Sequence, residues 1–191
     1  FRILDHLSPL TEAPDLVLIG GQAVSYWFSF FGVGQQAGES GLYASKDIDF
    51  EGRAEQVREA GSLLAGSVHF PAQGDISPST GQVVFFDSDG FQREVDFLAS
   101  PAGLEAEDVR RTAVRVEITD PSGSEKVISL WVMHPERCME SRIKNWMLLR
   151  QRGKIAEDQL KRSITFTREF SEFVLLDENL SLNTRTRSVL K

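Results

Sequence analysis

The stretch from Leu16 to Phe50 constrains this chain more than any other. It reads as a buried strand (Leu16 to Ile19), a double glycine (Gly20-Gly21), an apolar helix from Gln22 to about Phe31, a loop, and then Ser45-Lys46-Asp47-Ile48-Asp49-Phe50. In an extended strand, residues two apart point the same way. Asp47 and Asp49 therefore project together, while Ile48 and Phe50 turn into a core. Two adjacent carboxylates repel unless a positive charge lies between them, and a divalent metal is the common answer. A glycine turn leading into a helix N-terminus is, in turn, a place where backbone N–H groups and the helix dipole hold a phosphate.

The 191 residues, 41% of them apolar, suit one domain or one domain with a small appendage, and exclude a disordered chain. No run approaches a membrane span, and no signal-peptide pattern opens the chain. The first residue is Phe1 rather than Met, so a trimmed leader stays open. One cysteine, Cys138, rules out an internal disulfide and fits a reducing compartment, so a cytoplasmic location is the expectation. The net charge of −7 is uneven: residues 1–134 hold 9 Lys/Arg against 20 Asp/Glu, and residues 135–162 hold 8 against 4. A basic helical segment beside an acidic body reads either as a nucleic-acid or triphosphate contact, or as a solvated helix face.

Residues 1–15 read as a short helix or loop. A helix is expected from Arg53 to about Leu64, and a short strand over Val68-His69-Phe70. Val83 to Phe86, the turn Asp87-Ser88-Asp89-Gly90 and Phe91 to Leu98 form a β-hairpin. Its second strand sets Glu94 and Asp96 on one face and Val95 and Phe97 on the other, so a third acidic position enters from a strand. A second hairpin spans residues 112–119, the turn Asp120-Pro121-Ser122-Gly123 and Val127 to Met133. Pro135 opens a helix to about Arg152 with Met139, Ile143 and Trp146 in helical register; Gly153 breaks it; a last helix runs from about Lys154 to Leu176. Mixed strands and helices followed by helices alone predict an α+β body with a C-terminal helical cap.

Strand, Gly-Gly, helix, loop, and a strand carrying Asp-apolar-Asp with a hydroxyl two positions before it (Ser45) resembles the signature of the nucleotidyltransferase superfamily, the polymerase-beta-like fold. The detail of Leu18-Ile19-Gly20-Gly21-Gln22-Ala23 and Ser45-Lys46-Asp47-Ile48-Asp49-Phe50 looks most like the AbiEii-type toxin branch, whose members act in abortive-infection or toxin–antitoxin systems. The resemblance covers residues 16–98 by motif and 135–165 in outline. It implies a mixed-sheet nucleotidyltransferase core over residues 1–134 and a helical cap over 135–191. It also implies transfer of a nucleotide from an NTP to tRNA or to a protein hydroxyl, and leaves room for an antitoxin partner. On that likeness Asp47, Asp49 and Asp96 hold one or two Mg²⁺, with Asp96 helping to deprotonate the acceptor. Gly20 and Gly21 admit the phosphates, Ser45 donates to a phosphate oxygen, and Arg142 or Lys144 faces the triphosphate. The family pattern has Lys followed by an apolar residue where this chain has Arg142-Ile143, and the long glycine-rich loop from Gly32 to Gly41 is a second departure. Rival readings are transfer to a small molecule such as an aminoglycoside, which an acidic cleft suits, and a non-catalytic binding module that keeps the fold.

His6, His69 and His134 lack metal-ligand spacing, and His134 reads as a helix-entry residue. Cys138 is expected as a small core residue rather than a lowered-pKa thiol. Trp27, Trp131 and Trp146 are expected in the core, with Trp146 a candidate for the rim of the nucleotide pocket.

Overall fold

The computed structural model describes residues 1–33, 47–120 and 123–176. Short helices α1 (Arg2–His6) and α2 (Ser8–Thr11) lead to β1 (Val17–Leu18) and α3 (Gly20–Phe30). Then come β2 (Asp47–Glu51), α4 (Ala54–Leu63), β3 (Ser67–His69), β4 (Ser79–Phe86) and β5 (Gln92–Leu98). The chain continues through α5 (Ala106–Thr112), β6 (Val114–Thr119), β7 (Val127–Val132), α6 (Pro135–Met147) and α7 (Lys154–Leu176). The expected α+β class is borne out: one mixed seven-stranded sheet of order β3-β4-β5-β2-β1-β7-β6 carries the helices.

Local chemistry explains most of these elements. β2 alternates as read, with Ile48 and Phe50 buried between half-exposed Asp49 and exposed Asp47. β5 lies parallel to β2 in register, so Ile48 faces Val95 and Phe50 faces Phe97 across the ladder. The Phe50 and Phe97 rings stack with centroids 5.9 Å apart. Burying such a side chain stabilises a fold by about 1.5–3 kcal/mol. α4 packs on β4 and adds Val57 and Ala60 to the same core.

The C-terminal helices are joined to the body. The Trp27 indole N–H on α3 donates to the Met133 carbonyl at 2.7 Å, and Thr167 Oγ1 on α7 donates to the Pro135 carbonyl at 3.3 Å. Phe166 of α7 belongs to the central core. α7 occupies the span expected for it, beginning after Gly153.

Five features depart from expectation. α6 stops at Met147 rather than near Arg152, and Arg150 sits in the left-handed region at φ +52°. Its inner face is not the Met139-Ile143-Trp146 stripe but Pro135, Cys138 and Ser141, a set of small residues that a search for large apolar side chains passes over. α5 has no counterpart in the reading, since Val109 is its one buried residue. β4 starts four residues earlier than Val83, at Ser79. The apolar α3 is also less enclosed than its composition suggests, with Phe30 62% exposed. Of the glycine-rich loop only Gly32 and Val33 are among the described residues, and Ser45 lies outside them.

Candidate functional site

The site begins at the junction of β1 and α3. Gly20, the first residue of α3, has φ +66°, a conformation that L side chains rarely adopt. A Cβ there would stand 1.9 Å from Asp49 Oδ2. Gly20 is thus required twice, by its backbone angle and by the carboxylate packed against it. Asp49 in turn accepts a hydrogen bond from the Gly21 N–H. No side chain from Ile19, the residue at the N-cap, satisfies the start of α3; a carboxylate from β2 does so across the sheet. The anion-binding end of this helix, read from sequence as a phosphate cradle, holds Asp49.

Register brings the acids together. Asp47 lies opposite Glu94 and Asp49 opposite Asp96 on the parallel β2–β5 ladder. Paired residues of a ladder share a face, so four carboxylates occupy one side of two strands. Gln82 on β4 lies opposite Asp96. Its Nε2 donates to Asp96 Oδ1 at 2.9 Å and to Glu94 Oε2 at 3.1 Å.

The electrostatics follow from crowding and burial. Desolvation first, then the charges of Asp96 and Asp47, push the Asp49 pKa up to about 6, against the opposing pull of Arg142 and of the Gly21 N–H. Burial also raises the Asp96 pKa, the Gln82 hydrogen bond lowers it, and Asp47 and Glu94 raise it again. Arg142, on α6, is buried deeply enough for desolvation to lower its own pKa, with Cys138 and Asp49 acting in the other direction. Its Nη1 donates to Gln159 Oε1 of α7 at 2.6 Å, while its buried Nε has no hydrogen-bond partner.

Of the residues expected in the site, Gly20, Gly21, Asp47, Asp49, Asp96 and Arg142 converge. Lys144 does not. Its Nζ donates to the Gly103 carbonyl and to Glu140 Oε1, which ties it to the surface of α6. Nor are the acids gathered into a ready cage: among the described residues no group of three or more His, Cys, Asp and Glu side chains is placed to hold a metal ion. The donor type nevertheless fits a hard divalent cation, because the face offers carboxylate oxygens whose mutual repulsion a cation would relieve.

Two residues near the site escaped the sequence reading. Gln82 was missed because the expected turn Asp87-Ser88-Asp89-Gly90 pairs Phe86 with Phe91 and sets Gln82 opposite Val95, whereas the observed Phe86–Gln92 pairing sets it opposite Asp96. Glu51, on the same parity as Asp47 and Asp49, is 1% exposed and paired with Arg110 of α5, and its second oxygen is unpartnered. Burial, opposed by Arg110 and Arg53, pushes its pKa up to about 7.

His134 is the N-cap of α6, as expected, its Nδ1 accepting from the Glu136 N–H. Burial drives its pKa down to about 4. Cys138 is fully buried and its thiol pKa is raised by desolvation, in keeping with a core role. Trp27 is buried, whereas Trp131 and Trp146 are half-buried, with the Arg152 guanidinium 6.0 Å from the Trp146 ring. Among the described residues no helix is long and apolar enough to cross a membrane. Comparison with protein-family models and with curated proteins returns no match for this chain.

Proposed function

We propose that this chain is a metal-assisted nucleotidyltransferase, moving a nucleotide from an NTP to a macromolecular acceptor. One observation carries the reading: Asp49 stands in register with Asp96 and at the same time packs against the Gly20-Gly21 start of α3, with Arg142 behind it. Carboxylates, a helix N-terminus and a buried cation converging from four distant segments are what a polyphosphate substrate and a divalent ion need. A structural ion cluster has less reason to hold a carboxylate at a helix start, among other carboxylates, at a desolvation cost.

In this reading Asp47 and Asp49 hold Mg²⁺, one ion or two, and Asp96 completes the set. The metal, when bound, neutralises charge on the triphosphate and on the transferring group. Arg142 supplies positive charge toward the phosphates from the α6 side. Asp96, whose pKa burial raises, accepts the proton of the acceptor hydroxyl. Gly20 leaves Asp49 the room to reach the Gly21 N–H, which fixes that carboxylate at the site. The toxin-type role, the tRNA or protein acceptor, an antitoxin partner and a cytoplasmic setting belong to the same proposal and rest on the family resemblance.

The test is incubation of the protein with each labelled NTP, Mg²⁺, and total RNA or protein extract. Label should pass to one acceptor class, and Asp47→Asn with Asp49→Asn should abolish transfer. Binding gives a second readout: NTP with Mg²⁺ should raise the melting temperature of the wild type and leave the double mutant unmoved. No labelled acceptor with any NTP, together with an equal shift in the mutant, would overturn the proposal.

A further inference from the structure

We propose that Gln82 is a positioning residue for Asp96, acting together with Glu94 and Gln92 as a clamp built along the hairpin; this rests on the nucleotidyltransferase reading above. Three side chains from two antiparallel strands form the clamp. Gln82 Nε2 bridges Asp96 Oδ1 and Glu94 Oε2 at 2.9 and 3.1 Å. Gln92 Nε2 donates to the other Glu94 oxygen, Oε1, at 3.3 Å. Both Glu94 oxygens are therefore committed to amide hydrogens.

The chemistry of an amide fixes the direction of this arrangement. An ionised carboxylate only accepts, so a glutamine between two of them must present its NH₂ and turn its carbonyl away. One nitrogen with two hydrogens then spends both on the pair. The consequence for Asp96 is that Oδ1 is held while Oδ2 stays outside the clamp. The consequence for Glu94 is different. Register places it opposite Asp47, where a free carboxylate would compete with Asp96 for a cation, and its two amide partners hold it along the hairpin instead. The clamp sorts two acids on one strand into a support and a ligand. It also supplies partial positive charge where Glu94 and Asp96 repel, without the competing full charge of a lysine or arginine. Side chains that hydrogen-bond to a metal-ligating carboxylate typically alter metal affinity or activity by roughly 10–100-fold when removed.

The test uses Gln82→Met, which keeps length and bulk but loses both hydrogens, and Gln82→Glu, which keeps the shape and turns the donor into an acceptor. Mn²⁺ binding without nucleotide is measured by calorimetry, and kcat and NTP KM are measured separately, with melting curves in EDTA to show that each variant folds. Gln82→Met should weaken Mn²⁺ binding and lower kcat by roughly 10–100-fold with little change in NTP KM, and Gln82→Glu should be worse on both. Gln92→Met, which frees one oxygen of Glu94 but leaves Asp96 held, should cost less than Gln82→Met. A folded Gln82→Met protein with wild-type Mn²⁺ affinity and kcat would overturn the inference while leaving the nucleotidyltransferase reading intact. If the wild type itself neither binds Mn²⁺ nor transfers a nucleotide, both fall together.

Discussion

Asp49 is the residue on which the most physical demands meet. It caps α3 through the Gly21 N–H, repels Asp96 and Asp47, and compensates the buried Arg142. Its folded-state pKa of about 6 lies above the ordinary carboxylate value near 4. The stability tied to this raised pKa is fully present below about pH 4 and is lost as pH rises through 6. Ionised Asp49 therefore costs on the order of 1–3 kcal/mol at pH 8 in the metal-free protein. Asp49→Asn should raise the melting temperature in EDTA at pH 8 and have little effect at pH 4.5, which thermal denaturation at the two pH values would show. Gly20→Ala should do the reverse. It forces a methyl group into the Asp49 carboxylate from a left-handed backbone, costing roughly 2 kcal/mol or more, and it should erase the NTP-dependent melting shift because Asp49 must move.

At the scale of elements, α5 is fastened to the end of β2 by the Arg110–Glu51 pair. Removing one member of a buried pair leaves the other uncompensated, typically at about 3–5 kcal/mol. Arg110→Met should destabilise strongly at pH 8. It should destabilise much less at pH 5, where Glu51, with a folded pKa of about 7, is already neutral. A urea series at both pH values measures the difference. This same pair marks what sequence can and cannot tell. The alternation of β2 and β5 was legible because its period is local, and so was α7, bounded by Gly153 and by continuous helical spacing. Asp47, Asp49 and Asp96 were legible as a set through the resemblance, but their parallel register joins residues 47–51 to 94–98, and no local pattern encodes that pairing. α5 escaped because one buried valine in seven residues leaves no apolar period. The inner face of α6 was misread because its buried groups, Pro135, Cys138 and Ser141, are small, while Met147 and Leu148 at its C-terminal end are exposed. Gly20 was legible as a glycine requirement, though its immediate reason is a carboxylate within the protein.

For the whole molecule, three groups shifted by desolvation set opposing pH trends. Asp49 and Glu51 bind protons more tightly folded than unfolded, so they lower stability as pH rises from about 4 to 7. His134, with its folded pKa down at about 4, takes up its proton only in the unfolded chain between pH 4 and 6.5, so it raises stability with pH over that window. Two acids outweigh one imidazole. The metal-free protein should melt higher at pH 5.5 than at pH 8, and Asp49→Asn combined with Glu51→Gln should invert that order.

β1 is only two residues long, yet it separates the β3-β4-β5-β2 block from the β7-β6 block. The Ile19 N–H donates to the Asp49 carbonyl and the Leu18 carbonyl accepts from the Met133 N–H, both at 2.9 Å. One block carries the carboxylates; the other leads directly into the helix that bears Arg142. In mechanical terms β1 is a rivet between two plates, and any twist of one plate against the other changes the gap between Asp49 and Arg142. So short a seam holds its register only if it opens last. The amides of Ile19 and Met133 should therefore be among the slowest in the chain to exchange with deuterium.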